Sequence, residues 1–217
     1  AMKMEAQRAE MTQKGLSYID AVITTRELVR LIKLNGIDMH NLEPEPLDDP
    51  LGSLSSTGKL FGISGGPLES LLRTVWYKYK GEEINPQKLL KLRNTKGLKE
   101  LNLKIGDTEI GVVAVSGMAN AREVLEDIRT KNKNYHIVEI MACPGGCVNG
   151  GGQPIGSTEN SIKNRCKSLY DFDNTETIKT AHKNPQIIQA YNDFLKETQG
   201  KKSMELLTVK YMQNETE

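Results

Sequence analysis

Neither sign of charge is in excess in this sequence: 29 lysines and arginines face 28 aspartates and glutamates. No whole-chain basic field therefore points to nucleic acid or to an anionic membrane surface. No apolar run approaches the roughly 20 residues that a membrane helix needs, so no membrane span is expected. Cysteine is scarce, three in 217 residues, and two of the three share one motif. That scarcity argues against a secreted disulfide framework and fits a reducing compartment, the cytoplasm, in which thiols serve metals. No signal-peptide pattern follows Ala1. The length suffices to bury one substantial core with room for an appendage.

One stretch stands out against this background. An apolar run from Tyr135 to Ala142 reads as a strand, and Cys143-Pro144-Gly145-Gly146-Cys147-Val148-Asn149-Gly150-Gly151-Gly152-Gln153-Pro154 follows at once. The glycines let the backbone turn tightly and bring its N–H groups close to whatever the two sulfurs hold. Thiolates are soft ligands suited to iron–sulfur clusters, zinc and Cu(I). A lone C-x3-C nevertheless supplies only two of the four ligands of a tetrahedral zinc or a cubane.

The run Met141 to Pro154 resembles the third cysteine signature of the iron-only (FeFe) hydrogenases, without a mismatch. The resemblance implies an H-cluster, a four-iron four-sulfur cubane joined through a cysteine sulfur to a diiron unit carrying CO, cyanide and a bridging dithiolate. It makes Cys143 a cubane ligand, Cys147 the bridging cysteine and Met141 a cofactor neighbour. Phe61-Gly62-Ile63-Ser64-Gly65-Gly66 is similar to the segment usually read Phe-Gly-x-Thr-Gly-Gly, with Ser64 for threonine. In the family this loop borders the diiron unit, so Phe61, Gly62, Gly65 and Gly66 are implied cofactor contacts, Phe61 as a pocket wall. Ala1 to Met11 resembles the end of the second signature, Met-Pro-Cys-x-x-Lys-x-x-Glu, with Glu5 as its glutamate and candidate catalytic residue.

That anchoring puts the second signature's cysteine before Ala1. The expectation is a partial sequence, with two of the four cluster cysteines on an upstream part of the same protein. It also puts the signature's lysine at Met2, whose thioether cannot donate the hydrogen bond that the family's lysine gives to a diiron cyanide. Lys3 is adjacent, but a helical neighbour points about 100° away.

Taken in order, Asp20 to Thr25 reads as a short strand, with Thr25 capping a helix from Arg26 to about Leu34 and Asn35-Gly36 closing it. Asn41 to Pro50 and Leu51 to Lys59 read as loops. Gly65-Gly66-Pro67 opens a helix whose apolar residues, Leu68, Leu71, Leu72, Val75 and Trp76, recur at helical spacing as far as Gly81. A glycine loop at a helix N-terminus is a generic anion cradle, so phosphate has to be considered, although no P-loop or dinucleotide fingerprint is present. Gly81 to Lys99 reads as a solvated, lysine-rich helix and connector. Leu101–Ile105 and Glu109–Val115 read as a hairpin about Gly106-Asp107. A helix from about Ala119 to Lys131 and the strand Tyr135–Ala142 then complete a right-handed β-α-β unit, with the cysteine loop at the carboxyl end of its last strand.

From Ser157 the chain reads helical and polar: Ser161 to about Tyr170, Asn184-Pro185 to about Glu197, and Ser203 to Met212. This resembles the family's small-subunit-type tail, with Arg165, Leu169-Tyr170, Asp173, His182-Lys183-Asn184-Pro185, Tyr191, Phe194-Leu195 and Glu205-Leu206-Leu207 in the usual order. Thr208-Val209-Lys210-Tyr211 departs where a histidine often precedes the tyrosine. Cys166 has no partner in sequence and reads as an inert, half-buried thiol, and His40, His136 and His182 make no metal pattern.

The expected fold is α/β, part of the two-lobed H-cluster domain with a parallel sheet flanked by helices, followed by a helical tail. The expected division is 1–156 and 157–217. The implied function is reversible reduction of protons to dihydrogen, in a catalytic or a hydrogen-sensing member, with a ferredoxin-like carrier and the H-cluster maturation proteins as partners. The alternative is a non-enzymatic iron–sulfur relative of the cytosolic cluster-assembly kind, which has a similar loop and no diiron unit.

Overall fold

The computed structural model describes residues 2–46, 48, 52 and 54–208. Met2–Glu5 forms one helical turn, and β1 (Thr12–Gln13) pairs antiparallel with β2 (Leu16–Ser17). Their two-residue turn has positive φ at both Lys14 and Gly15, as a right-twisted hairpin requires. α1 spans Thr25–Leu34 and starts on a capping box: Thr24 Oγ accepts from Glu27 N at 3.2 Å and the Glu27 carboxylate accepts from Thr24 N at 2.7 Å. The cap is therefore Thr24, and Thr25 is the first helical residue. The strand expected over Asp20–Thr25 is absent. Those β-branched residues pair with no strand among the described residues, and strand propensity without a ladder partner or a packed face has nothing to act on.

The expected loop before residue 60 contains a helical turn at Ser56–Lys59 and a 3-10 turn at Leu60–Gly62, which lead to α2, Gly66–Lys80. Left-handed glycines bound α2, Gly65 at its start and Gly81 at its end. A 3-10 segment follows at Pro86–Leu92. Next come β3 (Leu98–Ile105), β4 (Thr108–Ser116), α3 (Met118–Arg129), β5 (Ile137–Met141) and α4 (Glu159–Thr175). After them are α5 (Pro185–Ala190), continued by a π turn to Leu195, and α6 (Lys201–Leu207). The expected end of the last helix and the Val209–Tyr211 departure lie outside the described residues. No helix among the described residues is long and apolar enough to cross a membrane.

The chain divides into two compact units, Ala1–Asp48 with Pro185–Glu217, and Asp49–Asn184. The second contains the sheet β3-β4-β5, which is mixed and not parallel throughout: β3 and β4 are an antiparallel hairpin, and β4 and β5 are parallel through α3. β3 begins three residues before its expected start, because Leu98, Lys99 and Glu100 pair with Val115, Ala114 and Val113. Both faces of the sheet are covered. Leu101, Leu103, Ile105, Val112 and Ala114 pack with Leu68, Leu72 and Trp76 of α2, while Val113 and Val115 pack with Ala121 and Val124 of α3. The unbroken buried run of β4, from Gly111 to Ser116, follows from that double cover.

A buried charge cluster ties α2 to α4. The Arg73 guanidinium donates to both oxygens of Asp173, at 3.0 and 2.6 Å, and to Glu69 at 2.5 Å. Arg93 donates to Glu69 at 2.6 Å, and Ser56 Oγ donates to Asp173 at 2.6 Å. Burial opposes the charge on Asp173, yet the hydrogen bonds from Arg73 and Ser56 and the neighbouring guanidiniums hold its carboxyl below the usual carboxylate range.

Candidate metal centre at the carboxyl end of the sheet

β5 delivers the chain to the carboxyl edge of the sheet at Met141, whose carbonyl accepts from Gly117 N at 2.9 Å where α3 begins. Past that point no strand partner remains, and the backbone folds on itself. Gly146 N donates to Cys143 O at 3.0 Å and Gly150 N to Cys147 O at 3.0 Å. Gly146 is required twice over. Its φ is +97°, and a Cβ there would lie 2.7 Å from Ser64 N and 2.9 Å from Gly62 O. The Cys143 thiol is half-buried and the Cys147 thiol exposed, and both are free.

The loop is anchored from two sides at Gly145. Its N–H donates to Ser116 Oγ at 2.9 Å, and its carbonyl accepts from Ser64 N at 3.1 Å. Ser64 is itself held. Its carbonyl accepts from the buried Lys99 ammonium, which also donates to Leu92 O at 3.1 Å. Burial lowers the Lys99 pKa from the ordinary lysine range, against the opposing influence of Cys166, Glu139 and Glu69. The next N–H, that of Gly65, donates to one Glu139 oxygen at 2.6 Å, and Leu68 N donates to the other at 2.9 Å. The start of α2 thus binds an anion, but the anion is the protein's own carboxylate, and a phosphate reading has no free N–H cradle to use there.

Residues 1–151 match the family described as "Iron only hydrogenase large subunit, C-terminal domain", and residues 159–214 match "Iron hydrogenase small subunit". The chain belongs to the iron-only hydrogenase family. It is 37% identical over 217 residues to the NADP-reducing hydrogenase subunit HndD of Solidesulfovibrio fructosivorans, an alignment covering 99% of this chain and 37% of that relative. It is 34% identical over 203 residues to Protein NAR1 of Arabidopsis thaliana, covering 90% of this chain and 43% of that one. It superposes with a TM-score of 0.78 on an apo FeFe-hydrogenase HydA1 variant from Chlamydomonas reinhardtii, at 30% identity, covering 94% of this chain and 59% of that one. The chain thus spans less than half the length of these two curated relatives.

In this iron-only hydrogenase relative, one edge of the second unit brings together Phe61–Gly66, Met141, Cys143 and Cys147. Phe61 is exposed and Met141 half-buried. Glu5 belongs to the other unit, where it closes the Met2–Glu5 turn and is partly buried. Beside it Met2 is exposed, and Lys3 is committed locally to Glu27 at 2.5 Å. Cys166 is buried among Leu60, Ile63 and Val148, and burial pushes its thiol pKa up, as expected of an inert cysteine. Trp76 is core. Two of the histidines serve the fold: His136 Nδ1 accepts from Gly111 N at 3.1 Å, and His182 stacks on Tyr77 at 4.3 Å, while His40 is exposed.

The donor set fits part of a cubane. Two soft thiols sit on a tightly turned glycine loop, and Ser64 Oγ beside it is buried with no hydrogen-bond partner. Among the described residues no group of three or more His, Cys, Asp or Glu side chains could hold a metal. Among the described residues these two thiols would fill two of the four positions that a cubane needs. The sequence reading missed Lys99 and Glu139. By sequence Lys99 reads as the end of a solvated connector, although Lys99-Glu100-Leu101 continues the alternation of β3. Glu139 is a lone carboxylate in an otherwise apolar run, which was the available signal.

Proposed function

We propose that this chain is the C-terminal part of an iron-only hydrogenase that reversibly reduces protons to dihydrogen at an H-cluster. Cys143 and Cys147 hold two positions of the cubane, Cys147 being the bridging thiolate, and an upstream part of the protein contributes the other two cysteines. When bound, the H-cluster supplies the combined proton and electron chemistry. The chain's own residues hold and screen it. Gly145 and Gly146 let the loop turn, while Phe61, Gly62, Gly65, Gly66 and Met141 form the wall on the diiron side. Glu5, by its place in the second signature, is the candidate catalytic residue. A ferredoxin-like carrier brings electrons, maturation proteins install the cluster, and the reaction takes place in the cytoplasm.

The observation that carries this reading is the unbroken Met141–Pro154 loop at the carboxyl end of β5, with two glycines between its cysteines and Gly146 fitted against the Phe61–Gly66 segment. The test is infrared spectroscopy and dihydrogen evolution on the full-length protein co-expressed with maturation proteins. CO and cyanide bands with turnover are expected.

Similarity to the cytosolic Fe-S cluster assembly factor narfl of Xenopus tropicalis, 29% identical over 215 residues, supports a second reading, a cluster-assembly protein that has the cubane without the diiron unit. A protein with a cubane electron paramagnetic resonance signal, no CO or cyanide bands and no turnover would establish it in place of the first. Bands with vestigial turnover would indicate the hydrogen-sensing member.

A further inference from the structure

Two opposite charges lie in one lateral row of the sheet. Lys99 of β3 is in register with Ala114 of β4, and Ala114 with Glu139 of β5, so all three share the face that packs against α2. The small central residue leaves room for both long side chains to rise to the same loop. There they grip one peptide group from its two ends. Lys99 Nζ donates to the carbonyl of the Ser64–Gly65 peptide, and Glu139 accepts from its N–H at 2.6 Å. The preceding N–H, that of Ser64, donates at 3.1 Å to the carbonyl of Gly145, between the two cysteines. Each charge also ties this peptide to a second backbone group, Lys99 by donating to Leu92 O at 3.1 Å and Glu139 by accepting from Leu68 N at 2.9 Å, and Lys99 is only 3% exposed. Burying a charged ammonium is costly unless its hydrogen bonds are made within the protein.

We propose that Lys99 and Glu139 are positioning residues for the cluster loop, and that their opposed charges set the electron affinity of a cluster bound at Cys143 and Cys147. The proposal rests on the reading of those cysteines as cluster ligands, and it holds for either function above. The geometry has two consequences. The clamp fixes the direction in which Ser64 N–H meets Gly145, and hence the orientation of the loop between the sulfurs. A buried cation on this loop, Lys99, also favours the reduced cluster and a partly buried anion, Glu139, disfavours it, because the protein interior screens neither fully.

The experiment uses the full-length protein and the variants Lys99→Gln, Glu139→Gln and the double variant. Gln retains a polar group of similar length at each site while removing the charge. Potentiometric titration of the reconstituted cubane, followed by electron paramagnetic resonance, is expected to show a lower potential in Lys99→Gln and a higher one in Glu139→Gln. The double variant should return toward the parent value. Shifts of the same sign, or none, overturn the charge role. Hydrogen exchange on the apo protein tests positioning separately: the amides of Ser64 and Gly145, which bond to neither charged side chain, should exchange about tenfold faster or more in both single variants. Unchanged exchange overturns the clamp. A parent protein that takes up no cubane overturns the cluster reading and with it the redox half of the proposal, while the exchange result stands on its own.

Discussion

Arg73 of α2 and Asp173 of α4, 100 residues apart in sequence, form a buried two-hydrogen-bond pair at 3.0 and 2.6 Å. The pair joins the segment matched as large subunit to the segment matched as small subunit. Removing one member of a buried pair costs up to about 3–5 kcal/mol, tempered in Asp173→Asn because Arg73 keeps its bond to Glu69 at 2.5 Å. Asp173→Asn should therefore lower the denaturation midpoint strongly, and Arg73→Lys, which cannot make the forked contact, should fall between the two. Equilibrium denaturation checks this, and a variant as stable as the parent would remove the pair as the tie between the segments.

The same aspartate gives a pH dependence. Its carboxyl is held below the ordinary aspartate value, so the native state favours the charged form. Its contribution is fully present above an unfolded pKa of about 3.9 and is lost as pH falls through the lowered native value. Thermal denaturation followed downward from pH 5 should show an acid-induced loss of stability in the parent that is reduced in Asp173→Asn.

Cys147 and Cys166 should separate cleanly in the full-length protein. Cys147→Ser is expected to abolish the diiron unit and dihydrogen turnover. Cys166→Ala removes a buried thiol from an apolar contact with Leu60, Ile63 and Val148, at about 1 kcal/mol, and should leave cluster content intact. Iron and sulfide analysis with infrared spectra of both variants decides it, and equal loss from the two would mean the ligand assignment is wrong.

Gly146→Ala should damage the loop without touching a ligand. Its backbone, φ +97° and ψ −164°, lies in a region that is almost exclusively glycine's, which costs about 1–3 kcal/mol, and the added Cβ would press on Ser64 N and Gly62 O. Reduced cluster uptake with little change in secondary structure by circular dichroism is the expected outcome.

These 217 residues alone should not assemble a stoichiometric cubane, because among the described residues the two thiols have no third metal ligand beside them. Reconstitution with iron and sulfide under argon checks this, and a stable, fully loaded cluster would refute it.

The sequence by itself determined the elements whose signals are local. Glycines bounding α2, the Gly106-Asp107 turn, the apolar period of α2 and the strand running into Cys143 are each set by the residues at hand, and the structure has them all. The cysteine motif was equally plain, since its glycines and thiols are contiguous. Only the tertiary structure decided which extended segments become strands. Asp20–Thr24 finds no partner, whereas Leu98–Glu100 is drawn into β3 by Val113–Val115. Tertiary structure also decided where charges are placed, burying Lys99 and half-burying Glu139. Lys99 and Glu139 lie 40 residues apart and look solvated one at a time. They acquire a role only because the strand register sets them on either side of Ala114 and turns both toward one peptide at the start of α2. Register is a property of paired chains, and a single strand's sequence does not contain it.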